Sequence, residues 1–217
     1  MSELGFTVTG ARPEPYAISP QLALRMRVTE STGVPVYAIA LRAQVQIEPQ
    51  RRRYASEESD KLTELFGGPE RYGDTLKTML WTHVSATVVA FEGETEFDLV
   101  IPCSYDFAVA ANKYLSALED GDGPVVVQLS GTVFVRGEHG VAAELVPWTC
   151  EARYRLPVAV WRATMDAHFP NSAWIRIDRE SFDALYRFKR EGGFTTWEAA
   201  IERLCALAER ATAESAP

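Results

Sequence analysis

The sequence predicts a mainly β protein. It reads as an antiparallel β-sandwich or barrel of immunoglobulin-like type over residues 1–156, with an α-helical extension over residues 157–217. Three observations lead there. First, Tyr37, Ile39, Leu41, Ala43, Val45 and Ile47 alternate with Ala38, Ala40, Arg42, Gln44 and Gln46, the period of a strand with one buried and one wetter face. Second, similar alternation recurs up to Leu156 in roughly eight short segments separated by turn signals, without a βαβ rhythm. Third, beyond Leu156 the apolar spacing becomes helical.

Phe6 to Ile18 is expected as the first strand, confined to an edge by Pro13 and Pro15. Leu22 to Thr29 is the second, with Leu22, Leu24, Met26 and Val28 on one face. Ser31-Thr32-Gly33 turns the chain into the long third strand, which ends at Arg51-Arg52-Arg53. Ser56 is placed to cap a helix running to Phe66, with Glu57 and Glu58 in its first turn and Gly67-Gly68 after it. Further strands are expected at Thr78 to Phe91, Glu94 to Cys103, Val125 to Val135, Val141 to Pro147 and Glu151 to Leu156. Residues 105–119 fit either period; their place between strands favours a strand.

Val158 to His168 reads as a helix, broken by Pro170 and Asn171. A short strand is expected at Ala173 to Ile177. Asp178 then caps a helix carrying Phe182, Leu185, Tyr186 and Lys189, closed by Gly192-Gly193. Thr195 and Glu198 suggest a capping box for a last helix that buries Trp197, Ile201, Leu204 and Cys205. Residues 211–217 should fray.

The chain has 217 residues, enough to bury about 70% of its unfolded surface without staples. Its net charge of −8 disfavours non-specific binding to nucleic acid or to an anionic membrane. The N-terminus lacks the pattern of a secretory signal, and the apolar run Val34 to Leu41 is too short to span a bilayer. A cytoplasmic protein is therefore expected. Cys103, Cys150 and Cys205 fit reduced thiols better than a disulfide framework.

Motifs that carry chemistry are sparse. His83, His139 and His168 show no metal-ligand spacing, and no metal or other cofactor is expected. Pro102-Cys103-Ser104-Tyr105-Asp106 is the most suggestive stretch for a nucleophile, so an enzyme built around His83 and Cys103 stands as one alternative. Glu119-Asp120-Gly121-Asp122-Gly123 lacks the later ligands of a calcium loop and reads as a turn. Of the five tryptophans, Trp174 is the one expected to be partly exposed.

Residues 173 to 210 resemble the strand–helix–helix of ribbon-helix-helix repressors, with Trp174, Arg176 and Asp178 facing outward. A DNA-binding regulator is thus a second alternative. It is disfavoured by local charge, because Ser172 to Arg210 carries 7 basic and 7 acidic residues. Arg51, Arg52 and Arg53 could grip a phosphate or an acidic partner. The blander reading is a solvated strand end neutralised by Glu57, Glu58 and Asp60. Trp174, Arg176 and the Arg51–Arg53 triplet are the candidate interaction residues.

Several segments carry a family resemblance: Gln46-Ile47-Glu48-Pro49, Leu80-Trp81-Thr82-His83, Ile101-Pro102-Cys103-Ser104-Tyr105-Asp106-Phe107 and Ser130-Gly131-Thr132-Val133-Phe134. Val146-Pro147-Trp148, Leu156-Pro157-Val158-Ala159-Val160-Trp161-Arg162, Phe169-Pro170-Asn171-Ser172 and Phe182-Asp183-Ala184-Leu185-Tyr186 continue it. Over almost its whole length the chain resembles an uncharacterised bacterial family, a domain of unknown function associated with gene neighbourhoods of uptake nickel–iron hydrogenases. The resemblance implies no catalytic residue. Together with the lack of a chemical constellation, it favours a non-enzymatic accessory protein with a protein partner, hydrogenase-related in the first instance; a homodimer through Ala173 to Ile177 is what the ribbon-helix-helix alternative predicts.

Overall fold

The computed structural model describes residues 2–104, 109–138, 140–172 and 175–214. His139, Trp174, residues 105–108 and the last three residues, all subjects of expectations above, lie outside the described residues. The chain divides into two compact units, Met1–Trp174 and Ile175–Pro217.

The first unit is mainly β. Its strands are β1 (Leu4–Pro13), β2 (Gln21–Glu30), β3 (Val36–Ile47), β4 (Met79–Val88), β5 (Glu94–Pro102), β6 (Asp122–Gly137), β7 (Gly140–Leu145) and β8 (Glu151–Pro157). One antiparallel sheet has the order β1-β2-β5 and the other β4-β3-β6-β7. β7 and β8 both pair with β6, β7 along Thr132–Gly137 and β8 along Asp122–Gln128. They thus form one edge, interrupted at Pro147 and Trp148. This is an immunoglobulin-like sandwich with β4 carried on the second sheet.

The core is what the alternation demands. Leu22, Leu24, Met26 and Val28 of β2 meet Ile39, Leu41, Ala43, Val45 and Ile47 of β3 in one buried cluster, with Leu99 and Ile101 of β5 and Val125, Val127 and Val133 of β6. Tyr37 departs from expectation. The β3–β6 register shifts between Val36 and Ala38, so Val36 takes the core position and Tyr37 is 43% exposed. β1 stops at Pro13 rather than Ile18, because Pro13 and Pro15 lack N–H donors and Tyr16 turns the chain at φ 66°.

Residues 105–119 are not a strand where they are described. Ala110–Ala117 form helix α3, after α1 (Ser56–Phe66) and the short α2 (Tyr72–Thr75). Ala111, Tyr114, Leu115 and Leu118 are all buried, and their i, i+3, i+4, i+7 spacing is that of a helix face. α4 (Val158–Asp166) buries Val158, Trp161 and Met165 beside β1, β2 and β8. Trp161 meets Trp81 of β4 edge to face, with centroids 5.9 Å apart.

The turn after β2 is locked by a buried carboxylate. Glu30 accepts hydrogen bonds from the backbone N–H groups of Glu3, Thr32 and Val34, each at 3.1 Å, and from the Thr32 hydroxyl at 2.5 Å. Burial alone would push this carboxyl up, but the bonds from Thr32, Glu3 and Val34 hold it below the ordinary carboxylate range. A depressed folded-state value means that the ion's stabilisation is present above the unfolded value and is lost as pH falls through the folded one. Wild type is therefore expected to exceed Glu30→Gln in urea midpoint near neutral pH, with the gap closing as pH falls below the ordinary carboxylate range. A gap independent of pH would rule out this role for the ionised group.

The second unit is a helical hairpin of α5 (Arg179–Glu191) and α6 (Trp197–Glu214). Asp178 caps α5, its carboxylate accepting from the Ser181 N–H at 2.8 Å. The α6 cap is Thr196 rather than Thr195: its hydroxyl accepts from the Ala199 N–H at 3.2 Å. Ile175 to Asp178 form no strand ladder in this single chain, and a ribbon pairing would need a second copy.

Candidate functional site

The arginine triplet stands where β3 gives way to α1, and the local chain separates its three members. Pro49–Arg51 form a 3₁₀ turn, after which Arg52 is extended. Arg51 reaches out to the buried Glu48 at 3.0 Å. Arg52 turns inward and is only 9% exposed; it bonds Glu58 at 2.5 Å and donates to the carbonyls of Asp120 and Asp122. Arg53 is exposed and has no ion-pair partner among the described residues. The expectation of a uniformly solvated triplet holds for Arg51 and Arg53 and fails for Arg52.

Glu58, rather than Ser56, organises the start of α1. Ser56 lies inside the helix, and the Glu58 carboxylate accepts from the Ala55 N–H at 3.2 Å, as well as from the Glu119 N–H at 2.8 Å. The acidic turn at residues 119–122 is drawn in by cations: Lys61 and Arg162 pair with Glu119, and Arg155 with Asp122. Among the described residues no group of three or more His, Cys, Asp or Glu side chains is placed to hold a metal ion.

Two residues of β8 join this end of the sandwich because β8 runs beside β6. Arg153 shares Glu48 with Arg51, and Arg155 lines a cleft of about 440 Å³ with Gln50 and the whole arginine triplet. Arg53 and Arg52 also line a second cleft of about 440 Å³, between the entry to α1 and the entry to α2. Tyr54 and Tyr72 stand in it edge to face, with centroids 5.9 Å apart. The Tyr114 hydroxyl lies 3.0 Å from that of Tyr54, which donates to the Pro49 carbonyl at 2.6 Å. Burial pushes the Tyr54 phenol far up and that of Tyr114 to about 12, so both stay protonated donors. Sequence spacing gave no sign of this tyrosine group.

His83 and Cys103 are not brought together. His83 is exposed on β4, opposite Gln44. Cys103 is buried just past β5, and burial pushes its thiol up to about 12, the reverse of what a nucleophile needs. None of the clefts lined by the arginine triplet, by Arg176 or by Tyr16 includes either residue.

Arg176 lies in the helical unit, in a surface cleft with Ile175, Ile177 and Phe182. Phe182 and Tyr186 stack one turn apart on α5, and Trp197 of α6 closes on both, with centroids 5.6 and 6.1 Å away. Lys189 sits over the Trp197 ring at 5.6 Å. Phe182 is 45% and Tyr186 52% exposed. Of the α6 residues expected in a core, Ile201 and Cys205 are exposed and Trp197 and Leu204 are half-buried; the buried residue is Ala200, which was not among them.

Two antiparallel sheets around a shared core, with helices at one end and a helical hairpin unit following, define a β-sandwich protein. The chain belongs to the family of unknown function DUF6084, whose model matches residues 1–213. No curated protein matches it. Among solved structures it is similar to one described as an ApaA protein from Bordetella pertussis, at 16% identity and a TM-score of 0.29, over 72% of this chain and 95% of that one. It is also similar to a β-glucosidase from Kluyveromyces marxianus, at 7% identity and a TM-score of 0.27, over 71% of this chain and 15% of that one. β-Glucosidase 3B from Thermotoga neapolitana matches at 11% identity and a TM-score of 0.26, over 71% and 17%. At TM-scores this low, the likenesses bear on neither fold nor function. No helix among the described residues is long and apolar enough to cross a membrane.

Proposed function

We propose that this protein is a non-enzymatic accessory protein of the cytoplasm that docks onto a protein partner through its helical hairpin. The observation that carries the reading is the aromatic face of Phe182, Tyr186 and Trp197, with Phe182 and Tyr186 open to solvent beside Arg176. Exposed aromatic anchors next to an arginine have the composition of an interface hot spot. The family resemblance sets the first partner to test: the subunits and maturation factors of an uptake nickel–iron hydrogenase.

The test is affinity purification of the tagged full chain from its own host, beside a Phe182→Asp, Tyr186→Asp double variant. Because Trp197 packs on both rings, the variant's helix content is compared with that of the wild type by circular dichroism, and only a folded variant is scored. Hydrogenase components are expected with the wild type and reduced at least about tenfold with the variant. Recovery of the wild type alone, or equal recovery with both, would remove the reading. Recovery as a homodimer would reassign the face to a second copy.

A further inference from the structure

The end of the sandwich where β3 gives way to α1 gathers guanidinium groups from two stretches of chain. Arg51, Arg52 and Arg53 come from the turn itself. Arg153 and Arg155 lie two residues apart on β8, hence on one face of it, and both are exposed. The β6 strand sets the two stretches side by side: Pro124 pairs with Arg155, and its carbonyl accepts from the Glu48 N–H at 2.9 Å. The cleft of about 440 Å³ lined by Gln50, Arg51, Arg52, Arg53 and Arg155 has no carboxylate in its lining, in a chain of net charge −8. Its guanidiniums are anchored without being used up. Arg51 contacts Glu48 from Nε at 3.0 Å, and Arg155 donates from Nη1 to Asp122 at 2.9 Å. Each carboxylate meets one edge of a planar group with five N–H donors. The Arg51 and Arg155 side chains remain 53% and 59% exposed, and Arg53 is exposed with no ion-pair partner among the described residues. Arg52 is already neutralised by Glu58 and adds no free charge.

We infer that this cleft binds the phosphate group of a small phosphate monoester. Three open guanidiniums side by side repel one another unless an anion lies between them. A phosphate group carries about −1.5 to −2 charges near neutral pH and has three acceptor oxygens, one face for each of Arg51, Arg53 and Arg155. Guanidinium forks bond such oxygens in pairs, which a single carboxylate can satisfy for one arginine only. The organic part extends into the adjoining cleft of about 400 Å³, which shares Arg51 and Arg155 and adds Glu48, Arg153 and Tyr154. Those polar walls suit a hydroxyl-bearing body, and the volumes are of small-molecule scale. Every residue involved belongs to the first unit, so the inference does not rest on the docking face of the helical hairpin.

NMR titration of the full chain at low salt, following the arginine Nε–Hε signals, tests this with glycerol 3-phosphate, inorganic phosphate and acetate. Both phosphates are expected to bind saturably, the ester at least as tightly as the inorganic ion, and acetate about tenfold more weakly or less. Arg53→Ala is expected to raise the Kd of the ester by about fivefold or more, and Arg53→Ala with Arg155→Ala to abolish saturation. Arg53 holds no other charged side chain and the Arg155–Asp122 pair is exposed, so both variants are expected to melt with the wild type. Arg136→Ala removes the same charge at the far end of β6 from Pro124, outside both clefts, and leaves the Kd unchanged. The inference falls if neither phosphate saturates, if acetate binds as tightly, if binding survives the double substitution, or if Arg136→Ala weakens it as much. It falls as well if a phosphoserine peptide binds where the free ester does not, which would assign the cleft to a phosphorylated protein.

Discussion

Glu58→Ala is expected to lower the unfolding free energy by about 3–5 kcal/mol, because it strands a buried guanidinium. The Glu58 carboxylate is where three stretches of chain meet. It holds Arg52 from the turn after β3, the Ala55 N–H at the start of α1 and the Glu119 N–H of the turn before β6. Without it, Arg52 keeps its charge in a place where its side chain is 9% exposed, and two backbone donors lose their acceptor. The pair is no evidence of net stabilisation in itself, since desolvating both ions has its own large cost. The double variant Arg52→Met, Glu58→Leu is therefore expected to recover much of the loss. Urea denaturation with an unchanged slope measures both. A single-variant loss below about 1 kcal/mol would show that water reaches Arg52 freely.

Gly131→Ala is the second large effect, expected at about 2–5 kcal/mol from overpacking and backbone strain together. Gly131 lies in β6 at φ 142°, a conformation L side chains rarely adopt. A Cβ there would stand 2.0 Å from the Ala40 carbonyl oxygen of β3. The obstacle is backbone of the central strand pair, so no side-chain rotation relieves it. Gly10→Ala is the control. A Cβ at Gly10 meets nothing within 4 Å, and that variant is expected to be neutral or stabilising by up to about 1 kcal/mol. Similar midpoints for the two variants would show that β3 and β6 can part at Gly131 without loss.

The sandwich was legible where each strand has one wet face. Leu22 to Val28 and Ile39 to Ile47 could be read directly, because period two and burial agree there. Tyr37 was misread because a bulge is a fault in register, and register belongs to the partner strand rather than to the strand itself. Residues 110–118 were misread because small residues such as Ala110, Ala111 and Ala117 satisfy both periods. The site was less legible. Arg51, Arg52 and Arg53 are adjacent in sequence, yet a 3₁₀ turn sends one outward and the next into a pocket closed by Asp120 and Asp122. Arg155 and Tyr72 reach the same region from elements that no local pattern connects to the triplet. Helix starts were legible only to within a residue: Asp178 caps as expected, but Thr196 replaces Thr195 and Glu58 does the work expected of Ser56.

The interruption at Pro147 and Trp148 bears on how this molecule meets its own copies. An open sandwich edge offers unpaired N–H and C=O groups to any strand that comes alongside, and that is how sheets grow into aggregates. Here the edge is broken into β7, of 6 residues, and β8, of 7, with a bend between them. On the other sheet, β1 is irregular between Val8 and Gly10 and finishes in prolines that donate nothing. An incoming strand finds only short, offset ladders on these two edges. Growth of the sheets from copy to copy is therefore hindered at these two edges and would have to proceed through the other two, β4 and β5.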